Sequence, residues 1–161
     1  MKKITTIALA TLFTLATATS ASAGQAWVTH QDGNQYLMMT SKLADVRATV
    51  AKVNLGILCV DGEADPLRIM VIGEGMHGTG QVTYVLKVDD GPMLEPFART
   101  GDQKAMMTGN SETRPLIESM QGGNTLLIGA RDERNEVSVF KLSLAGFTRA
   151  FNGHIPARCL Q

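Results

Sequence analysis

The sequence predicts a mainly β domain, an antiparallel β-sandwich or flattened barrel with one or two short helices, closed by one disulfide. Three observations carry that prediction. Side chains alternate in character with a period of two, turn-forming residues recur between the alternating stretches, and two cysteines stand 100 positions apart in a chain of 161 residues.

Ala26 to Thr29 and Gln35 to Thr40 form the first two strand candidates, and Asp32-Gly33-Asn34 between them suits a turn. Leu55, Ile57 and Cys59 share one side of the next strand, Asp61-Gly62 breaks it, and Leu67, Ile69 and Val71 share one side of a fourth. After the glycine-rich stretch Gly73 to Gly80, residues Val82, Tyr84, Leu86 and Val88 alternate with Gln81, Thr83, Val85 and Lys87. That alternation marks a half-buried strand, and Asp89-Asp90-Gly91-Pro92 ends it.

One helix is persuasive. Pro115 suits a first helical position, where the missing N–H would have no partner, and Leu116, Ile117 and Met120 fall on one side before Gly122 stops the helix. Asn124 to Ala130 is nearly all apolar and reads as a central strand. Glu133-Arg134-Asn135 then turns the chain into Val137, Val139 and Lys141, which alternate with Ser138, Phe140, Leu142 and Leu144, so Phe140 and the two leucines face inward. A shorter helical turn is expected around Phe147 to Phe151, and Trp27 is expected to anchor one edge of the core.

The first 23 residues have a different design. Lys2 and Lys3 precede an apolar and small-residue stretch, and Ala21-Ser22-Ala23 has the small-x-small form of a signal cleavage site, which places the cut between Ala23 and Gly24. The apolar stretch is short for a bilayer core and is diluted by five threonines, so a membrane anchor fits it poorly. Residues 24–161 then form one domain of ordinary length, with no membrane span in the mature part. Without Lys2 and Lys3 there are 13 basic against 15 acidic residues, scattered along the chain, which argues against nucleic acid as a partner. Periplasmic or secreted localisation follows as an expectation. In an oxidising compartment Cys59 and Cys159 are expected to pair, and closing so large a loop is worth on the order of 4–5 kcal/mol in chain-entropy terms.

Motifs that would signal chemistry fail on context. Gly73-Glu74-Gly75-Met76-His77-Gly78 matches G-x-G-x-x-G, but the chain continues through Thr79-Gly80 into a strand, so no helix N-terminus is offered to a pyrophosphate. Asp61, Glu63 and Asp65 have the opening spacing of a calcium loop, yet Pro66 stands where that loop needs glycine and Ile72 where it needs glutamate. Met76-His77 is a soft-donor pair, but His30, His77 and His154 are far apart in sequence and show no ligand spacing for copper. There is no G-x-S-x-G elbow for a serine nucleophile. The expectation is a protein without enzymatic activity and without a cofactor.

The C-terminal stretch Phe140-Lys141-Leu142-Ser143-Leu144-Ala145-Gly146-Phe147, then Ala150 and Cys159, forms a pattern with Trp27, Leu58-Cys59, and Leu116 to Met120 before Gly122-Gly123. That pattern resembles the VasI/TagO-type periplasmic proteins associated with type VI secretion. The resemblance implies a periplasmic accessory or binding role without catalysis, and it supplies no active-site residues. The chain departs from the family pattern in carrying Leu58 just before the first cysteine and no arginine directly following Tyr84. The function expected is a binding or accessory module for a protein or cell-wall partner, acting through loops at one end of the sandwich. The loop Gly73 to Gly80, with Met76 and His77, and the segment Glu95 to Asn110 are the expected contact regions. An inhibitor of lysozyme or of a protease is the alternative, on the strength of Gly78 to Tyr84.

Overall fold

The computed structural model describes residues 26–47, 50–75, 82–94, 97–98, 104–108 and 110–161. In chain order the elements are β1 (Val28–Asp32), β2 (Gln35–Leu43), β3 (Lys52–Val60), β4 (Leu67–Glu74), β5 (Val82–Val88), β6 (Met93–Leu94), β7 (Phe97–Ala98), β8 (Lys104–Thr108), α1 (Asn110–Gly122), β9 (Thr125–Asp132), β10 (Val137–Ser143) and α2 (Phe147–His154). A 3₁₀ turn over Ala157–Leu160 follows. The first sheet has the order β1-β2-β3-β4-β8-β7 and the second β10-β9-β5-β6, with antiparallel pairing throughout.

The period-two alternation becomes burial. Val53, Leu55, Ile57 and Cys59 of β3 are fully buried, with Leu67, Ile69 and Val71 of β4 beside them. From the second sheet Tyr84, Leu86, Leu126, Ile128, Phe140 and Leu142 join the same core. Burying each large apolar side chain contributes roughly 1.5–3 kcal/mol, so this shared interior is the main term holding the two layers together. Leu116, Ile117 and Met120 of α1 and Phe147 and Phe151 of α2 complete it. Trp27 stacks at a tilt on Phe147, with ring centroids 5.0 Å apart.

Two devices tie one sheet to the other. Chain segment 93–98 leaves β6 on the second sheet and enters β7 on the first. On the far side, the link between β2 and β3 covers the edge of β10: Asp45 and Val46 donate to the Val139 carbonyl at 2.8 and 3.2 Å, and the Val139 amide donates to Val46 at 2.8 Å. The Asp45 carboxylate takes the Lys141 amide at 2.6 Å, and this bond is the main reason its pKa lies below the ordinary aspartate value. Inside the same seam the Val50 amide donates to the buried Ser138 hydroxyl at 2.8 Å, which satisfies a polar group that would otherwise be costly to bury. A sandwich sewn at both margins is a flattened barrel.

The disulfide joins Cys59 of β3 to Cys159 in the terminal 3₁₀ turn, with Cα atoms 6.1 Å apart. Arg158 supports it from outside, with Nε 2.7 Å from an Asp61 carboxylate oxygen and Nη2 donating to the Tyr36 hydroxyl at 3.2 Å. Tyr36 is the cross-strand neighbour of Cys59, so both halves of the clasp rest on β2 and β3. On the same side, His154 Nε2 donates to the His30 carbonyl at 2.9 Å.

Three local expectations are corrected. Pro115 lies inside α1 rather than at its start, because the helix begins at Asn110. The proline is exposed and close to the N-terminus, so the only helical bond it removes is the one to the Ser111 carbonyl. Asp89 does more than end its strand: its carboxylate accepts from the amides of Asn124 and Thr125, both at 2.9 Å, and locks the entry to β9. The apolar run Asn124 to Ala130 forms the expected central strand, β9, in which alternate residues are buried and Leu127 and Gly129 face outward. Glu95 to Asn110 is not one long connection, since it contains β7, β8 and the first residue of α1.

Candidate functional site

The outer face of the second sheet holds a depression. Register places its outward side chains in rows across β10, β9 and β5. Val137, Arg131 and Thr83 form one row, Val139, Gly129 and Val85 the next, and Lys141, Leu127 and Lys87 the third, which Met93 of β6 extends. Gly129 therefore sits at the centre of the lattice without a side chain. The neighbours wall a trough of about 280 Å³, lined by Val85, Leu127, Val137, Val139, Lys87 and Arg131, with Met93 at one lip. Its surface is overwhelmingly apolar, and Met93 and Val137 are 72% and 40% exposed.

Charge on this face has a single sign. Arg131 and Lys87 flank the trough from opposite ends, and neither has a salt-bridge partner among the described residues. Lys141, at a third corner, lies in the field of Asp45. No carboxylate occupies any of the outward positions of the three rows. The arrangement can hold an apolar group over Gly129 and attract negative charge to either side. It does not bring a nucleophile together with a base.

The other outer face is built differently. Gly56 on β3 is also a central glycine, but Met70 reaches over it: a β-carbon there would lie 3.2 Å from Met70 Cε, 3.7 Å from Leu37 Cδ1 and 3.8 Å from Met39 Cγ. Lys52 pairs with Glu74 at 3.1 Å, and Arg68 pairs with Glu63, so the charges on that side are spent on one another. The region around the disulfide is similarly closed, since Arg158, Asp61 and Tyr36 bond among themselves.

Comparison with family models, with curated proteins and with solved structures returns no significant match. The fold and this site therefore rest on the chain's own residues.

Of the residues expected to matter from the sequence, Cys59 and Cys159 form the disulfide. Ala23 and Gly24, and Met76 and His77, lie outside the described residues. Tyr84, the residue that gave the inhibitor reading its shape, is fully buried, and its hydroxyl packs against Gly73. The acidic triplet Asp61, Glu63, Asp65 is drawn into ion pairs with Arg158 and Arg68 at its first two positions, and among the described residues no group of three or more histidine, cysteine or acidic side chains is placed to hold a metal. The trough was not foreseen. Its signal in the sequence is the outward half of an apolar run, Leu127, Gly129 and Arg131, with a glycine where a branched residue would suit a strand.

Proposed function

We propose that this chain is an exported envelope protein, periplasmic or secreted, that acts as a non-enzymatic binding module for a protein or cell-wall component, and that the trough on the second sheet is its recognition face. The observation that carries the reading is the open pit at Gly129, walled by valines and leucine and flanked by free cations. The basic and apolar leader supports export. A disulfide buried in the core fits an oxidising compartment. No helix among the described residues is long and apolar enough to cross a membrane. The resemblance to VasI/TagO-type proteins supports a setting beside a secretion system. Of the segment behind the inhibitor alternative, Tyr84 is buried, and Gly78 to Gln81 lie outside the described residues.

The test is photo-crosslinking in the native cell. A benzophenone side chain replacing Val137, at the lip of the trough, is expected to capture an envelope partner, and capture is expected to disappear with Gly129→Leu. The same replacement at Met39, on the other outer face, serves as the reference. Equal capture from both positions, or none from Val137, overturns the assignment of the recognition face. N-terminal sequencing of the exported chain checks the cut before Gly24.

A further inference from the structure

Nothing among the described residues requires the glycine at 129. Its backbone is ordinary strand, outside the left-handed region, and an added β-carbon would meet only Val137 Cγ1 at 3.9 Å, an ordinary contact. Glycine in a strand interior weakens the strand, and where the fold does not demand it, close approach by another molecule is its usual meaning. Alanine would fit here and would suit the strand better. The empty position is thus a feature of what the face meets.

The size of the trough limits what that is. About 280 Å³, open on one side, falls below the roughly 300–1,000 Å³ of sites that engulf a small ligand. It suits one large side chain used as an anchor in a wider contact. The cations then set the rest. Arg131 lies two residues from Gly129 along β9, and Lys87 lies beside Leu127, two residues the other way. At about 3.4 Å per residue, the two charges stand roughly 13–14 Å apart along the strand direction, with the pit midway. An extended peptide has the same period. When one of its side chains enters the pit, the side chains two residues before and after it point to the same face and arrive over Arg131 and Lys87.

We infer that the trough takes an extended acidic segment of a protein partner, in which one large apolar side chain fills the pit over Gly129 and carboxylates two residues to either side meet Arg131 and Lys87. The inference rests on reading the trough as the recognition face. Register and charge both favour it: the outward rows carry three cations and no acid, and the spacing of pit and charges is that of alternate residues in a strand.

The test is a selection from a random heptapeptide library on the disulfide-bonded chain recovered after export, followed by amide chemical-shift mapping with one enriched peptide. Enriched sequences are expected to carry Leu, Met or Phe with Asp or Glu two positions away on both sides, and to move the amides of Val85, Gly129 and Val139. Binding is expected to fall at least about tenfold with Gly129→Leu and with the pair Lys87→Glu, Arg131→Glu, the second variant guarding against a folding defect in the first. Enriched peptides that lack acids but still respond to Gly129→Leu overturn the acidic partner while leaving the recognition face standing. Peptides indifferent to Gly129→Leu overturn the face itself. No enrichment overturns the peptide assignment, and dodecanoate moving the same amides at lower concentration than the peptide makes the occupant an acyl anion instead.

Discussion

The two outer faces each have a glycine near the middle of a central strand, and the molecule treats them in opposite ways. On the first sheet, Met70, Met39 and Leu37 close over Gly56, and nearby charges pair with each other. On the second sheet, among the described residues, only Val137 comes within 4 Å of where a Gly129 β-carbon would stand, and Lys87 and Arg131 stay unpaired. The contrast is local to the glycines, since the first face has its own depression of about 360 Å³ farther along, beside Val28, Met39, Ser41 and Asn54. A strand glycine is filled by its neighbours in one place and left open in the other.

Four changes sharpen that contrast, and the largest concerns the closed side. Cys159→Ser frees the tail from β3 and should lower stability by about 2–5 kcal/mol, read as a drop in the urea midpoint. An unchanged midpoint would mean that Arg158, Asp61 and Tyr36 hold the tail without the disulfide.

Tyr84 gives the next effect. Burial pushes its pKa from 10.0 up to about 12. The unfolded chain ionises this phenol first, so the stabilising effect is complete below pH 10 and is lost as pH rises from there to about 12. Two units correspond to roughly 2–3 kcal/mol. Urea titrations at pH 8 and pH 11 should show the loss in the wild type and a smaller one in Tyr84→Phe.

Gly73→Ala comes third. A β-carbon at that position collides with the Tyr84 hydroxyl and crowds Val50, so a destabilisation of about 1–3 kcal/mol is expected from thermal unfolding.

The smallest effect has the opposite sign. Gly129→Ala should stabilise by roughly 0.5–1 kcal/mol, because the strand gains a better residue at no steric cost. Gly56→Ala should gain nothing, since Met70 must shift to admit the methyl group. If both changes stabilise equally, the distinction between a filled and an open glycine fails.

Most of the architecture was legible before any coordinates. Val82 to Val88 and Val137 to Leu144 alternate strictly because each strand has one face in the core, and the pairing of Cys59 with Cys159 needed only the compartment and a count of two. What escaped was relational. Pro115 misled because a proline marks a helix start by rule but tolerates a second-turn position where its lost bond faces water. Asp89 reads as a turn residue in sequence, yet its partners are Asn124 and Thr125, 35 and 36 residues away. The trough depends on register: Val139, Gly129 and Val85 come from three separate strands and become neighbours only when the strands are laid side by side. Met76 and His77 of the loop Gly73 to Gly80 lie outside the described residues, and among those described the surface with unpaired charge is a sheet face.

The seam at β10 has a consequence for recognition. Asp45 and Val46 occupy the backbone groups of Val139, and the Asp45 carboxylate takes the Lys141 amide, so a visiting segment has no main-chain ladder to join along the middle of that edge. On the proposed reading, a segment lying across this face is held by its side chains rather than by strand pairing at β10. The pattern of acid, spacer, anchor, spacer, acid is palindromic, so on that reading a reversed segment brings the same side-chain types to Arg131, the pit and Lys87.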